Sequence, residues 1–138
     1  MSKLFGNIST RPLVLAVDDS VENLQVLSAI LKDDYQVKVA KNGQKALEIA
    51  GNFPHPDLIL LDVMMPVLDG MSTLKALRYL TNPDLANIPV IMVTAHAMTG
   101  DRERFLAAGA NGYVSKPIGF EALEDEIQRL ALQPPHPH

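Results

Sequence analysis

The chain has 138 residues, of which 47% are hydrophobic and 20% charged, and it carries a formal net charge of −4, values typical of a single globular domain. The weakly acidic balance, with Lys and Arg scattered along the chain, argues against a surface that binds nucleic acid or anionic membranes. The absence of Cys excludes disulfides and thiolate metal sites, and the lack of an apolar signal region or of roughly 18 consecutive apolar residues predicts a cytoplasmic protein.

Short apolar runs alternate along the chain with segments in which apolar residues recur at helical spacing. The predicted strands span residues 13–17, 35–40, 57–61, 89–93 and 112–115. The predicted helices span residues 20–34, 43–51, 70–80, 99–110 and 120–132. Ser20, Asp69 and Thr99 are predicted to cap the first, third and fourth helices, because their side chains can accept hydrogen bonds from the first helical N–H groups. The domain is predicted to cover residues 12–132, between tails at 1–11 and 133–138.

Strict alternation of strands and helices predicts the fold class. Five strand–helix units favour an α/β fold of the (βα)5 type, a doubly wound parallel sheet with helices on both faces. The first, third and fourth strands are continuously apolar, so they are predicted to lie at the centre of the sheet, where both faces are covered. In the last helix the apolar residues expected on one face are Leu123, Ile127, Leu130 and Ala131.

A polar residue follows nearly every predicted strand. Asp18 and Asp19 follow the first strand, Asp62 the third, Thr94 the fourth and Lys116 the fifth. The carboxyl ends of parallel strands meet at one edge of the sheet, and open α/β sheets bind their ligands at that edge. The sequence therefore predicts a site with three carboxylates, one hydroxyl and one ammonium.

The charges at this predicted site suit phosphoryl chemistry. Three carboxylates close together repel one another unless one is protonated or a cation lies between them. Oxygen ligands without His or Cys favour Mg²⁺ over zinc. Because a carboxylate can act as a nucleophile and form an aspartyl phosphate, Asp62, alone at the end of a central strand, is the candidate nucleophile.

Five features of the chain together resemble the receiver domains of two-component response regulators. They are the (βα)5 frame and the segments LAVDDS, LILLDVMMPVLDG, VTAHA and GYVSKPI. The likeness extends over residues 12–132. It implies a phosphoryl-accepting signalling switch with the flavodoxin-like strand order 2-1-3-4-5.

The resemblance implies a role for each matching residue of the site. Asp62 would accept a phosphoryl group from a phosphohistidine. Asp18 and Asp19 would hold Mg²⁺ together with Asp62 and the backbone carbonyl of Met64, and Mn²⁺ could substitute. Lys116 would pair with Asp62 and then with the phosphoryl oxygens.

The same resemblance implies a switch outside the metal ligands. Thr94 would turn inward to hydrogen bond the phosphoryl group, and Tyr113 would turn inward with it. The Lys116–Pro117 peptide is expected to be cis. The fourth predicted helix, the fifth strand and the fifth helix would then present a changed surface.

The expected partners follow from this role. A sensor histidine kinase or a histidine phosphotransfer protein would supply the phosphoryl group, an unknown downstream protein would read the changed surface, and a homodimer through that surface is a further expectation. The protein would catalyse only its own phosphorylation and dephosphorylation. The sequence leaves open whether it is a stand-alone regulator or a piece of a longer chain, since TAHAMTGDRERFLAAGA resembles receivers attached to hybrid sensor kinases.

Two other functions compete with this interpretation. A phosphatase of the haloacid-dehalogenase kind also uses an Asp nucleophile, but it carries a second Asp two residues later, where this chain has Met64. A receiver-like module that no longer accepts phosphate has usually lost an acid or the Lys. Here Asp18, Asp19, Asp62 and Lys116 are all retained, which favours the phosphoryl-accepting switch.

Overall fold

The structure, a computed structural model, describes residues 11–65, 68–95 and 98–130. The strands are β1 (Leu13–Val17), β2 (Gln36–Ala40), β3 (Leu58–Asp62), β4 (Val90–Thr94) and β5 (Gly112–Ser115). The helices are α1 (Val21–Leu31), α2 (Gly43–Gly51), α3 (Gly70–Arg78), α4 (Pro83–Ala86), α5 (Asp101–Ala108) and α6 (Phe120–Leu130).

The five strands form one parallel sheet in the order β2-β1-β3-β4-β5. Every residue of β1, β3 and β4 is buried, whereas the edge strand β2 is mostly exposed or half-buried. Strands covered by helices on both faces need apolar residues at every position, which is why the continuously apolar runs are central. The predicted fold class, strand order and central strands are confirmed.

Successive residues of each central strand face two separate cores, because strand side chains alternate between the two sheet faces. One core lies under α2, α3 and α5 and includes Leu15, Leu61 and Phe105. The other lies under α1 and α6, where Leu123 and Ile127 of the predicted apolar face are buried. The Leu130 side chain and Ala131 lie outside the described residues, as do residues 1–10 and 132–138, so the predicted domain bounds stay a prediction.

The N-terminal ends of three helices test the predicted caps. The side chain of Ser20 accepts from the N–H of Asn23, and that of Asp69 accepts from the N–H of Ser72, as predicted. Thr99 was the wrong residue for the fourth predicted helix, α5. Its N-cap is Gly100, which has a φ of 91° and makes no side-chain cap. A glycine adopts this left-handed backbone without steric strain.

The short helix α4 was not predicted. It begins after Asn82, whose side chain accepts from the N–H of Asp84 at 2.9 Å, and Pro83 occupies its first turn. Asn followed by Pro is a recognisable helix start, but four residues are too few for helical periodicity to show. No helix of residues 11–65, 68–95 and 98–130 is long and apolar enough to cross a membrane.

Candidate functional site

The carboxyl ends of four strands meet at the predicted edge of the sheet. Asp62 is the last residue of β3 and Thr94 the last of β4, one residue later than the predicted strand ends. Asp18 directly follows β1, and Lys116 directly follows β5. Asp18 and Asp62 are only 1% and 3% exposed, so their carboxylates are almost entirely removed from bulk water.

Lys116 lies between two of the buried carboxylates. Its Nζ is 3.1 Å from Asp18 Oδ2 and 3.3 Å from Asp62 Oδ1. The backbone N–H of Lys116 donates to the carbonyl of Thr94 at 2.8 Å, and the Lys116–Pro117 peptide is cis. The ammonium of Lys116 therefore joins the end of β1 to the end of β3, and the backbone of Lys116 is hydrogen bonded to the end of β4.

The first turn of α1 holds Asp18 in place. The backbone N–H of Ser20 donates to Asp18 Oδ1 at 2.9 Å, and Asn23 Nδ2 donates to Asp18 Oδ2 at 3.2 Å. Sequence reasoning missed Asn23. Its position in the turn that follows an acidic pair was the available signal, because an amide there can reach back to a carboxylate at the strand end.

Asp19 completes a group of three acids. It is exposed, and one carboxylate oxygen from each of Asp18, Asp19 and Asp62 lies within 4.8 Å of the others. In the part of the chain that the structure describes, one ammonium accompanies these three carboxylates, that of Lys116, which pairs with Asp18 and Asp62. An oxygen-only donor set with excess negative charge fits a hard divalent cation, so the residues present suit the metal that the sequence implies.

The surroundings of Asp62 favour its neutral form. Burial raises the pKa of the Asp62 carboxyl and the nearby charge of Asp18 raises it further, whereas Lys116 and the backbone N–H of Met64 lower it by a smaller amount. Burial opposes the charge on Lys116, but its hydrogen bond to Asp18 and the charges of Asp62 and Asp18 outweigh that effect and raise its pKa. The site therefore holds an electrostatically unfavourable carboxylate.

We expect Asp62→Asn to stabilise the metal-free protein by about 1–2 kcal/mol at pH 7, because it removes a buried charge and leaves Lys116 paired with Asp18. The pKa of Asp62 is higher in the folded state than in the unfolded state, so ionisation of Asp62 lowers the free energy of unfolding. This loss is absent at a pH below the pKa of the unfolded state and is complete once the pH has risen through the pKa of the folded state. The gain should therefore shrink towards pH 4. Urea unfolding across this pH range in EDTA measures it.

Asp69→Asn is the matched control for this experiment. It removes one exposed acidic charge near the same sheet edge, and Asn retains the ability to cap α3. Its free energy of unfolding should stay within about 0.5 kcal/mol of the wild type. An Asp62→Asn protein that is less stable than the wild type at pH 7 would contradict the electrostatic account.

A glycine packs directly against the end of β3. The N–H of Gly70, the first residue of α3, donates to the carbonyl of Val63 at 3.0 Å. A Cβ at Gly70 would lie 2.2 Å from the carbonyl oxygen of Asp62. The start of α3 therefore packs against the backbone of Asp62 and Val63. The sequence predicted that α3 starts at Gly70 but not this close approach.

The remaining predicted residues lie around this centre. Thr94 is buried at the end of β4. The side chain of Met64 is exposed, and a role for its carbonyl stays a prediction. Tyr113 is half-buried on β5, with its ring centroid 5.7 Å from that of Phe105.

Comparison with known proteins gives a consistent family. The model of the response regulator receiver domain matches residues 14–128. The chain is 42% identical over 117 residues to the signal transduction histidine-protein kinase BarA of Escherichia coli, covering 84% of this chain and 12% of BarA. The chain thus spans about an eighth of that relative's length.

Solved structures agree with this result. The chemotaxis protein CheY4 of Vibrio cholerae superposes with a TM-score of 0.78 at 34% identity, covering 88% of this chain and 99% of that one. The receiver domain of the Pseudomonas aeruginosa sensor histidine kinase PA1611 superposes with a TM-score of 0.74 at 36% identity, covering 86% of this chain and 95% of that one. The PA1611 structure is described with a magnesium ion coordinated in its active-site cleft.

Proposed function

The chain belongs to the response regulator receiver domains of two-component signalling, and from that premise we propose that it is a switch that accepts a phosphoryl group on Asp62. The observation that carries the proposal is the shared contact of Lys116 with Asp18 and Asp62, beside Asp19, at the carboxyl edge of the sheet. A buried acid with a raised pKa, next to an ammonium, is the arrangement expected of a reactive group rather than of a structural ion pair.

In the proposed reaction a carboxylate oxygen of Asp62 attacks the phosphorus of a phosphohistidine. The new O–P bond forms as the N–P bond breaks, and the imidazole leaves with the electron pair and takes up a proton. The product is an aspartyl phosphate on Asp62 and a neutral histidine on the donor. Water later attacks the phosphorus, releasing inorganic phosphate and restoring the carboxylate. In this proposal the protein catalyses only its own phosphorylation and dephosphorylation.

Lys116 and Thr94 would stabilise the added group. Lys116 Nζ is already 3.3 Å from Asp62 Oδ1, so a modest movement lets it donate to a phosphoryl oxygen. Thr94 ends the strand next to β3, and its hydroxyl would donate a further hydrogen bond to the phosphoryl group. The aspartyl phosphate carries about −1.5 to −2 charge in place of the single negative charge of the carboxylate, so these donors respond to a change in the local field. Tyr113 would follow Thr94 and alter the surface of α5, β5 and α6.

Asp18, Asp19 and Asp62 would hold Mg²⁺, with the backbone carbonyl of Met64 as a further ligand. Mn²⁺ accepts similar oxygen ligands and would substitute. When bound, the divalent ion supplies positive charge to the phosphoryl oxygens. The excess of carboxylate over ammonium supports this part of the proposal.

The relatives support a histidine kinase as the phosphoryl donor, since BarA is itself a histidine-protein kinase. A histidine phosphotransfer protein would serve the same chemistry. A downstream protein, or a second copy of the chain, would bind the surface of α5, β5 and α6. We propose that these events occur in the cytoplasm and without nucleic acid.

Incubation with Mg²⁺ and acetyl phosphate tests the central claim. We expect a band of retarded mobility on a phosphate-affinity gel for the wild type and none for Asp62→Asn, because only the carboxylate can attack phosphorus. EDTA should abolish the retarded band. The Asp69→Asn control should load like the wild type. A wild type that gives no retarded band, or an Asp62→Asn protein that gives one, would reject Asp62 as the acceptor.

A further inference from the structure

The outer edge of β5 is closed by a side chain. β5 is the last strand of the sheet, so one of its edges pairs with no other strand of residues 11–65, 68–95 and 98–130. The backbone N–H of Tyr113 on this strand donates to Glu126 Oε2 of α6 at 3.1 Å. A carboxylate therefore occupies the place where an adjacent strand would supply a carbonyl.

The carboxylate of Glu126 is oriented towards Tyr113 by burial and by an ion pair. It is only 9% exposed and lies on α6 beside the buried Ile127. Arg129, one turn further along the helix, donates from Nη2 to Glu126 Oε1 at 2.5 Å. A carboxylate is seldom buried unless it is paired, and here one oxygen binds the guanidinium while the other binds the strand. Glu126 thus joins α6 to a backbone atom of β5.

Tyr113 also contacts the helix on the other side of β5. Its ring lies against Phe105 of α5, with the ring planes inclined at 58°. The guanidinium of Arg104 lies 4.8 Å from the Phe105 ring centroid and pairs with Asp101 at 3.0 Å. A single residue of the edge strand is therefore linked through its ring to α5 and through its N–H to α6, and it stands three residues before Lys116.

We propose that Glu126 is a positioning residue that couples α6 to β5 through the N–H of Tyr113, with Arg129 orienting its carboxylate. The signalling part of this role rests on the proposed function, in which phosphorylation of Asp62 moves Tyr113. Apolar contacts between a helix and a strand allow small displacements of one element relative to the other. A charge-assisted hydrogen bond is directional and therefore restricts such displacements. Because of this bond, α6 moves with the backbone of Tyr113.

The contact itself can be measured without phosphate. In ¹H–¹⁵N spectra we expect exchange of the Tyr113 amide with solvent to be at least about tenfold faster in Glu126→Ala than in the wild type. Glu126→Gln keeps one acceptor oxygen and should restore most of the protection. The Lys116 amide, which donates to Thr94 on the opposite edge, should exchange as in the wild type. Unchanged exchange at Tyr113 in a folded Glu126→Ala protein would overturn the contact.

The coupling is measured with Mg²⁺ and acetyl phosphate, using the α6 amide shifts as the response and the phosphate-affinity gel as the measure of loading. We expect Glu126→Ala to load like the wild type but to lose at least half of the α6 response, and Glu126→Gln to recover it. Asp125→Ala, the matched control, removes the neighbouring exposed acid and should respond as the wild type does. A full α6 response in Glu126→Ala would overturn the coupling. Absence of loading in the wild type would reject the proposed function and the signalling role with it, while the exchange experiment would still decide the contact.

Discussion

Arg78→Ala should lower the free energy of unfolding by about 3 kcal/mol, because several backbone carbonyls lose their donor at once. Arg78 ends α3, and its Nε and Nη2 donate to Gly109 O at 2.9 and 2.8 Å. Its Nη1 donates to Ala86 O at 2.8 Å and to Ile88 O at 2.7 Å, and Nη2 also reaches Asn111 Oδ1 at 3.1 Å. Every one of these acceptors is a neutral oxygen.

This guanidinium joins the end of α3 to two other segments of the chain, one before β4 and one after α5. Ala86 is the last residue of α4, Ile88 lies between α4 and β4, and Gly109 follows α5 with a φ of 110°. Burial lowers the pKa of Arg78, but an arginine remains charged at neutral pH. Among the described residues, the cation is therefore stabilised by oriented carbonyl and amide dipoles, and these in turn are positioned by the cation.

Arg78→Lys tests whether the stabilisation comes from the arrangement of the guanidinium donors or from the positive charge. A lysine keeps the charge, but its single ammonium cannot reach carbonyls that lie in several directions, so we expect a loss of about 2 kcal/mol. Lys75→Ala removes an exposed cation from the last turn of the same helix and should change stability by less than about 0.5 kcal/mol. Urea unfolding monitored by circular dichroism measures all three. If Arg78→Ala lowers the free energy of unfolding by less than about 1 kcal/mol, water molecules must hydrogen bond to the carbonyls in place of the guanidinium.

Gly70→Ala should destabilise the protein by about 3 kcal/mol and distort the site. The added Cβ would lie 2.2 Å from Asp62 O, 2.8 Å from Val63 Cα and 2.9 Å from Asp62 C. These are backbone atoms, so no flexible side chain can move aside. Either the start of α3 or the end of β3 must shift, and the carboxylate of Asp62 shifts with its backbone. We therefore expect reduced phosphoryl loading in addition to the lower stability.

Gly51→Ala is the matched control for Gly70→Ala. Gly51 is the last residue of α2, and a Cβ there meets no described atom within 4 Å beyond its chain neighbours and the backbone of its own helix. Alanine restricts the unfolded chain more than glycine does, so stability should be unchanged or should rise by up to about 1 kcal/mol. Thermal unfolding and the phosphate-affinity gel are measured on both variants. A Gly70→Ala protein that unfolds and loads like the wild type would contradict the close approach at Asp62.

The sequence by itself determined the architecture and the composition of the site. Strand and helix periodicities are local, and the apolarity of a strand reports how many of its faces are covered, so the central strands could be identified. The carboxyl ends of parallel strands share one edge, so Asp18, Asp62, Thr94 and Lys116 could be assigned to one site. Helix caps were predictable where a side chain supplies the acceptor, as at Ser20 and Asp69.

The tertiary structure alone decided the partners of two other long polar side chains, Arg78 and Glu126. Arg78 reaches Gly109 across 31 positions and Glu126 reaches Tyr113 across 13, and no local pattern encodes such a pairing. The Gly100 cap depends on backbone conformation, and the close packing of Gly70 depends on where α3 crosses the end of β3. Periodicity reports which face of an element is buried, whereas the partner of a buried polar group is set by the placement of elements distant in sequence.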